Sequence, residues 1–275
     1  MVRLERIRVH PVAALDGTSV QAVDLDGSGL AWDRRYAIVD RPPGSGSDDG
    51  FGAQYVDRNR ERRIHDLETD YDLDRETVSV RESGADETHT FHLELDRDCF
   101  ASWLSDYLGY PVELVRLDEA SLPGDAASPE ATIVGDATLE RVASWVDGLD
   151  VEALCRRLRP NLVVGDAPAF WEDRLYDASE RVVPVDIGSA TLLGIGPCPV
   201  PPDDADIGRE SDRFREMIAE RRQATLPEWA HEARFDHYAR LTAEALVSDS
   251  SRGETLSVGD TVSVGRAVTV PDPAD

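Results

Sequence analysis

The amino-terminal part of the chain alternates short apolar runs with turn residues. In Arg3–Val12, apolar and charged residues alternate loosely, which predicts a strand that ends at Pro11. Similar short segments follow, and their spacing predicts a small β barrel or sandwich over about the first 95 residues. The other predicted strands of this part are Ser19–Leu25, Tyr36–Val39, Tyr55-Val56, Tyr71–Leu73, Thr77–Val80 and Thr90–Leu95.

Helical spacing appears after these strands. Phe100–Leu108 repeats apolar residues on one helix face, with Asp98 as the N-cap and Gly109 as the C-cap. A second helix is predicted from Asp136, its N-cap, through the apolar positions of Leu139–Val146. Further strands are predicted at Pro111–Leu117, Thr132–Val134, Leu162–Val164, Val182–Ile187, Ala190–Ile195 and Leu256–Val264, a helix at Ser211–Arg222, and either a helix or a strand at Arg234–Ala245.

Loop composition divides the chain. Leu122–Glu130 contains two prolines and predicts a domain boundary, so residues 1–120 form a β-barrel-like first domain and residues 121–268 a second domain. Residues 269–275 are predicted to be a flexible tail, and Pro42–Gly52 a mobile loop. The predicted fold class is mixed α+β and rich in β structure.

The charge is the outlying feature of the composition. The chain of 275 residues has 29 basic and 55 acidic residues, a net charge of −26, and every basic residue is an arginine. The acidic residues are spread along the chain, which favours a halophilic surface over an acidic tail. The negative field disfavours nucleic-acid binding. Without lysine, a Schiff base such as that of pyridoxal phosphate enzymes is excluded.

Targeting and redox signals are few. The chain contains no run of apolar residues long enough to span a membrane and no apolar stretch of signal-peptide length at its start. Its three cysteines are too few for a disulfide framework. We therefore expect a cytoplasmic protein with no membrane association.

Nine arginines are concentrated in three short segments. Such clusters, in a chain that otherwise avoids positive charge, predict a bound anion, because the guanidinium fork matches phosphate. Salt bridges to the abundant acidic residues are the alternative, and the sequence leaves both open. The segments are Asp33–Arg35, Arg58–Arg63 and Arg156–Arg159.

Cys198 is the second candidate for chemistry. It lies in Gly194–Pro199, a Gly/Pro-rich segment that predicts an accessible loop, where a thiolate can bind a metal. Cys99 and Cys155 stand beside apolar helical residues and are expected to face a core. The histidines have neither HExxH nor zinc-site spacing, and neither GxSxG nor GxGxxG occurs, which disfavours a serine hydrolase and a Rossmann enzyme.

Two sets of motifs together resemble a known family. The first set is His10–Val12, Gly29–Tyr36 and Val56–Ile64. The second is Ala127–Pro129, Arg159–Val164, Glu172-Asp173, Cys198 with Asp204, Asp206 and Gly208, and Leu256–Asp260. Over nearly the whole chain, Val2–Val264, the sequence resembles proteins in which a MOSC amino-terminal β barrel precedes a MOSC domain. It resembles most the amidoxime-reducing components.

The resemblance implies an amino-terminal β barrel packed on a MOSC-type β-barrel domain with peripheral helices. It also implies a molybdenum–pterin cofactor, with Cys198 as the metal ligand and catalytic residue. The implied cofactor-binding residues are Arg34, Arg63, Asp136, Arg159 and Asn161. The chain departs from the family where Lys-Ser is replaced by Ala13-Ala14, an upstream cysteine by Ile195, and polar residues by Pro201-Pro202.

The activity implied by the resemblance is reduction of N-oxygenated or S-oxide small molecules. Electrons would come from a separate ferredoxin-type or flavoprotein-type donor, because the chain has no cysteine-rich segment for an iron–sulfur cluster. Two alternatives stay open. One is a non-catalytic carrier of the cofactor or of sulfur, and the other is a fold that has lost the cofactor, which Ala13-Ala14 suggests.

Overall fold

The computed structural model describes residues 1–40, 54–56, 58, 61–117, 129–178, 181–201, 209–226 and 238–269, with the backbone alone for 209–212. The predicted loop Pro42–Gly52, most of the boundary loop 122–130 and the tail after Thr269 lie outside the described residues. So do Asp204, Asp206 and Gly208.

The described chain is organised into strands and short helices. In chain order the strands are β1 (Arg3–Val9), β2 (Thr18–Val20), β3 (Ala22–Asp26), β4 (Gly29–Leu30), β5 (Tyr36–Asp40), β6 (Gln54–Tyr55), β7 (Leu67–Asp72), β8 (Thr77–Glu82), β9 (His89–His92), β10 (Val112–Arg116), β11 (Ala131–Gly135), β12 (Leu162–Gly165), β13 (Arg181–Ile187), β14 (Ala190–Pro199), β15 (Arg240–Val247), β16 (Thr255–Ser257), β17 (Val262–Val264) and β18 (Val268–Thr269). The α-helices are α1 (Arg97–Leu108), α2 (Asp136–Ala143), α3 (Val151–Leu158) and α4 (Arg209–Thr225), and 3₁₀ helices lie at Arg62–Asp66, Trp171–Arg174 and Asp249–Ser251.

The chain forms two compact units. The carboxy-terminal unit consists of the described residues within 1–8, 19–31 and 125–275, and the amino-terminal unit of those within 9–18 and 32–124. The first residues belong to the carboxy-terminal unit because β1 pairs antiparallel with β12, with Leu4 opposite Val164 and Ile7 opposite Leu162. The two units therefore do not correspond to a single division of the chain near residue 120, because residues 1–8 and 19–31 belong to the carboxy-terminal unit.

A large sheet forms the frame of the carboxy-terminal unit. Among the described residues its strand order is β17-β13-β14-β15-β11-β12-β1-β2, and β18 also pairs with β13. β11 and β12 are parallel and fully buried, as expected for continuous apolar strands with both faces covered. Apolar side chains of α2, α3 and α4 share one cluster with strand residues; its buried members include Leu139, Leu154, Phe214, Ile218 and Val134.

The amino-terminal unit is built from two three-stranded sheets and α1. One sheet has the order β10-β5-β6 and the other β7-β8-β9. Buried residues of both sheets and of α1 form one core cluster, which includes Tyr36, Val78 and Phe100. The C-cap prediction is confirmed, since Gly109 follows α1 with a left-handed φ of 80°.

The mixed α+β, β-rich fold class is confirmed. Pairing among the described residues gives open sheets, with no sheet closed on itself in this part of the chain. The ambiguous segment Arg234–Ala245 is a strand from Arg240 onward. The helix α3 was not predicted, since only Leu154, Cys155 and Leu158 are buried in it.

Two predictions for the first helix are wrong. The N-cap of α1 is Asp96 and not Asp98, because the Phe100 N–H donates to the Asp96 carbonyl and begins the helix earlier. Cys99 is exposed, since it lies one position off the buried face that includes Phe100 and Leu104. Cys155, by contrast, is buried as expected. No helix in the described ranges is both long enough and apolar enough to cross a membrane.

Candidate functional site

Cys198 lies on a strand and not in a loop, which corrects the sequence prediction. β14 continues through Gly196 to Pro199, and it pairs with β15 over this whole length. Its pairing with β13 ends at Gly194, opposite Val183. Beyond Gly194 the prolines are therefore tolerated, because their missing N–H groups are not needed on a second side of the strand.

The Cys198 thiol is half-buried at the end of this strand. Cys198 is opposite Thr242, whereas Pro199 is opposite Arg240, so the register shifts at this point. Such bulges bend a strand and redirect its side chains. The Sγ atom lies 3.7 Å from the Pro199 carbonyl oxygen. Cys198 is thus more accessible than the buried Cys155 while it stays on a hydrogen-bonded sheet.

Asn161 joins three strands from a fully buried position. Its Oδ1 accepts hydrogen bonds from the Thr132 N–H at 3.0 Å and the Thr132 hydroxyl at 3.1 Å. Its Nδ2 donates to the Arg8 carbonyl at 3.2 Å, and its own carbonyl accepts from the Arg8 N–H at 2.7 Å. The amide therefore positions β1, β11 and β12. Arg159 lies two residues before Asn161 and ends α3 with a left-handed φ of 52°.

Asp136 is the first residue of α2, in an acidic environment. Its Oδ1 accepts from the Ala137 N–H at 2.6 Å. Its side chain also hydrogen-bonds Glu5, and burial together with the Asp136 charge raises the pKa of Glu5. The Gly135 N–H donates to Glu172 Oε2 at 3.3 Å. The N-cap of α2 is Gly135, which corrects the prediction of Asp136, and this cap makes no side-chain hydrogen bond. Carboxyl oxygens of the chain nevertheless accept from the Gly135 and Ala137 N–H groups.

Arg34 is held by a buried acid in the amino-terminal unit. Its Nη1 donates to Asp33 Oδ2 at 2.7 Å, and about 30% of its side chain is exposed. Asp33 Oδ1 accepts from the His10 N–H at 2.8 Å and lies 3.2 Å from His10 Nδ1. Burial disfavours the charged form, but Arg34 and His10 outweigh it and hold the pKa of Asp33 well below its usual range.

The backbone around Arg34 is strained. Arg34 has φ 51° and Trp32 has φ 69°, and both are non-glycine residues in the left-handed region. The Arg35 guanidinium stacks over the Trp32 ring, 4.3 Å from its centre. Strain of this kind persists mainly where surrounding contacts impose it.

Two arginines of the second cluster make structural contacts. Arg63 Nη1 donates to the carbonyls of Tyr107 at 3.0 Å and Leu108 at 2.8 Å, where a cation stabilises the carboxyl end of α1. Arg58 Nη1 lies 2.9 Å from Asp16 Oδ1 and 3.3 Å from the Ala14 carbonyl oxygen. The Arg58 guanidinium therefore lies beside Ala14, in the pair Ala13-Ala14 that replaces the Lys-Ser of the family.

The predicted residues fall into separate groups. Cys198 is in β14, whereas Asn161 directly precedes β12, three strands along the same sheet. Asp136 and Arg159 belong to the same unit, whereas Arg34 and Arg63 belong to the amino-terminal unit. Roles in cofactor binding stay predictions for all of these residues.

Sequence reasoning missed a buried polar cluster in the carboxy-terminal unit. Glu172 is 1% exposed, and its Oε2 accepts from the Thr138 hydroxyl at 2.9 Å. Its Oε1 is buried without a hydrogen-bond partner among the described residues. Burial, and then the charge of Asp173, raise the pKa of Glu172 to about 8. Glu172 is therefore protonated at neutral pH.

Asp173 and Arg222 form a buried ion pair next to Glu172. Arg222 Nη2 donates to Asp173 Oδ1 at 2.6 Å, and the Tyr176 hydroxyl donates to the same oxygen at 2.7 Å. The Arg222 guanidinium also packs over the Phe170 ring at 4.4 Å. The adjacent acidic residues Glu172 and Asp173 are recognisable in the sequence. The residues around Arg222, however, give no indication that its side chain is buried, with 1% exposed.

The donor groups present limit the kind of metal that fits. Within the described ranges no group of three or more His, Cys, Asp or Glu side chains is arranged to hold a metal ion. A single half-exposed thiol therefore fits a soft metal that brings its other ligands with it. A dithiolene-bound molybdenum has this property.

Comparison with known families supports the predicted amino-terminal domain. Residues 1–111 match the family described as the MOSC N-terminal beta barrel domain. This match covers the first 111 of the 275 residues and supports a MOSC-domain protein. MOSC-domain proteins are generally linked to the molybdenum cofactor. The finer assignment to the amidoxime-reducing components stays a prediction.

The other comparisons add little. No curated protein matches the chain. The crystal structure of the YUAD protein from Bacillus subtilis is similar with 10% sequence identity, 96% coverage of both chains and a TM-score of 0.38. At this TM-score the similarity carries no argument about fold or function.

Proposed function

We propose that this protein is a molybdenum cofactor-binding oxidoreductase in which the Cys198 thiolate is the protein ligand of molybdenum. The observation that carries the proposal is the half-exposed thiol at the end of β14, in a chain with a MOSC N-terminal domain. Sulfur is the donor that soft metals prefer, and β14 gives it a backbone held by β15. Cys155 is buried and Cys99 lies outside this unit.

The bound cofactor would supply the two-electron chemistry that reduces an N–O or S–O bond. The chain's own part is to bind and orient. Arg34 would contact the cofactor phosphate, and because Asp33 already fixes Nη1, little conformational freedom is lost on binding an anion. Asn161 would act through the strands that it joins, since it is fully buried. A separate protein would deliver the electrons.

Elemental analysis tests the metal assignment. Protein purified from a host that makes the cofactor should contain molybdenum, and Cys198→Ser should lose it because a hydroxyl is a poor ligand for a soft metal. Cys155→Ser is the matched control and should keep it. Absence of molybdenum from the unmodified protein would overturn the proposal.

Enzymatic and carrier functions are separated by a second assay. The loaded protein should reduce an N-hydroxylated amidine when an artificial electron donor is supplied. A protein that holds molybdenum but reduces neither N-hydroxylated compounds nor S-oxides would instead be a carrier of the cofactor or of sulfur.

A further inference from the structure

The strand end that carries Cys198 has an irregular backbone. Pro197 and Pro199 flank the cysteine and have no N–H group, and the register with β15 shifts between Cys198 and Pro199. The regular register between β14 and β15 is therefore interrupted directly after the thiol. Side-chain contacts add restraint at this point.

Arg240 supplies such a contact. Arg240 Nη1 donates to the carbonyl of Pro197, which directly precedes Cys198. The backbone of Arg240 lies opposite Pro199, which directly follows Cys198. The same arginine thus contacts the chain on both sides of the cysteine. A charged donor makes a stronger hydrogen bond to a carbonyl than a neutral one does.

Arg240 is itself fixed by a buried residue. Arg222 Nε donates to the Arg240 carbonyl at 3.1 Å. Arg222 cannot move freely, since it is 1% exposed, paired with Asp173 at 2.6 Å and packed over Phe170. A continuous set of contacts therefore runs from the core of the unit to the Pro197 carbonyl.

We propose that Arg240 is a positioning residue for Cys198 and that Arg222 holds Arg240 in place. This inference rests on the proposed function, in which the Cys198 thiolate binds molybdenum. In that function Arg240 touches neither metal nor substrate. It keeps the bulged strand end, and with it the thiol, in one conformation.

Alkylation of the cofactor-free protein tests the inference without any activity assay. The full chain carrying Cys99→Ser is made in a host that lacks the cofactor and is treated with iodoacetamide. Cys198 has a half-buried thiol and reports how far the strand end shields it, and the buried Cys155 in the same molecule reports global unfolding. Mass spectrometry gives both rates.

Arg240→Met should raise the Cys198 rate, by up to about tenfold, while the Cys155 rate stays unchanged, because losing a hydrogen bond from a charged donor shifts the strand end toward more open conformations by about that factor. Arg240→Lys should restore the original rate, since an ammonium also donates to a carbonyl. Arg181→Met is the matched control: Arg181 donates to the Ala267 carbonyl at 2.6 Å, and its loss should leave Cys198 unaffected.

Two results would overturn the inference. One is an unchanged Cys198 rate in Arg240→Met, even with a lower melting temperature, because the contact would then be structural only. The other is a raised rate that Arg240→Lys fails to restore. Molybdenum content is measured separately, so an unloaded but correctly restrained protein would count against the proposed function and not against Arg240.

Discussion

Replacing Glu172 with glutamine should make the protein progressively more stable, relative to the unmodified protein, as the pH rises from about 5 to about 8. Glutamine has nearly the shape of a protonated carboxyl group and cannot ionise. It can keep the acceptor role of Oε2 toward Thr138 and Gly135. The substitution removes the ionisation of a buried group, and the amide N–H groups that replace the unpartnered Oε1 add a cost that is the same at every pH.

The sign follows from the proton that the folded state retains. Burial and Asp173 raise the pKa of Glu172 from 4.5 to about 8. Between these values the unfolded chain has lost a proton that the folded chain still holds, so the free energy of unfolding falls as the pH rises. At about 1.4 kcal/mol per pKa unit, the loss amounts to roughly 5 kcal/mol at about pH 8 and above.

Urea denaturation, followed by tryptophan fluorescence at several pH values and constant salt, measures this difference. The advantage of Glu172→Gln should grow from about pH 5 to about pH 8 and then level off. Glu140→Gln removes an exposed glutamate of α2 and should show no such trend. If the difference between Glu172→Gln and the unmodified protein is the same at every pH, the reasoning about the buried carboxyl group is refuted.

Three further outcomes are expected. The melting temperature should rise between about 0.1 M and 1 M potassium chloride, where the screening length falls from about 10 Å to 3 Å, and a flat curve would refute the halophilic prediction. Arg34→Ala removes an ion-pair partner of the buried Asp33 and should lower the melting temperature, and in addition the folded protein should lose cofactor occupancy about tenfold to a hundredfold; a lower melting temperature with unchanged occupancy would make Arg34 a structural residue only. Arg222→Met should cost about 3–5 kcal/mol of unfolding free energy, because it leaves Asp173 buried and unpaired, while Arg221→Met on the same helix should cost far less. Equal losses in the two variants would contradict the buried pair.

Periodicity predicted the elements whose apolar residues repeat on one face. The pattern of Phe100–Leu108 gave α1, and the strands near Tyr36 and Val78 lie where alternation placed them. The eight residues of α3 contain too few apolar positions to be recognised by pattern alone. The extension of β14 to Pro199 was hidden by its glycines and prolines, which are typical of loops.

Contacts between distant residues account for what the sequence could not predict. Arg222 is buried because its partner Asp173 comes from another segment, and arginine is otherwise almost always exposed. Asn161 is recognisable as part of a motif, but the hydrogen bond by which its side chain joins β12 to β1 depends on Arg8, near the start of the chain. Only the fold brings these groups together.

The pairing of β1 with β12 governs how the chain can be synthesised and divided. β1 leaves the ribosome first, yet its partner follows some 150 residues later, so the sheet cannot be completed until most of the chain has been made. A fragment of residues 121–275 would lack β1 and leave the edge of β12 open to pairing with other chains. Expression of the second half alone should therefore give aggregates, and co-expression of a peptide carrying Arg3–Val9 should reduce them.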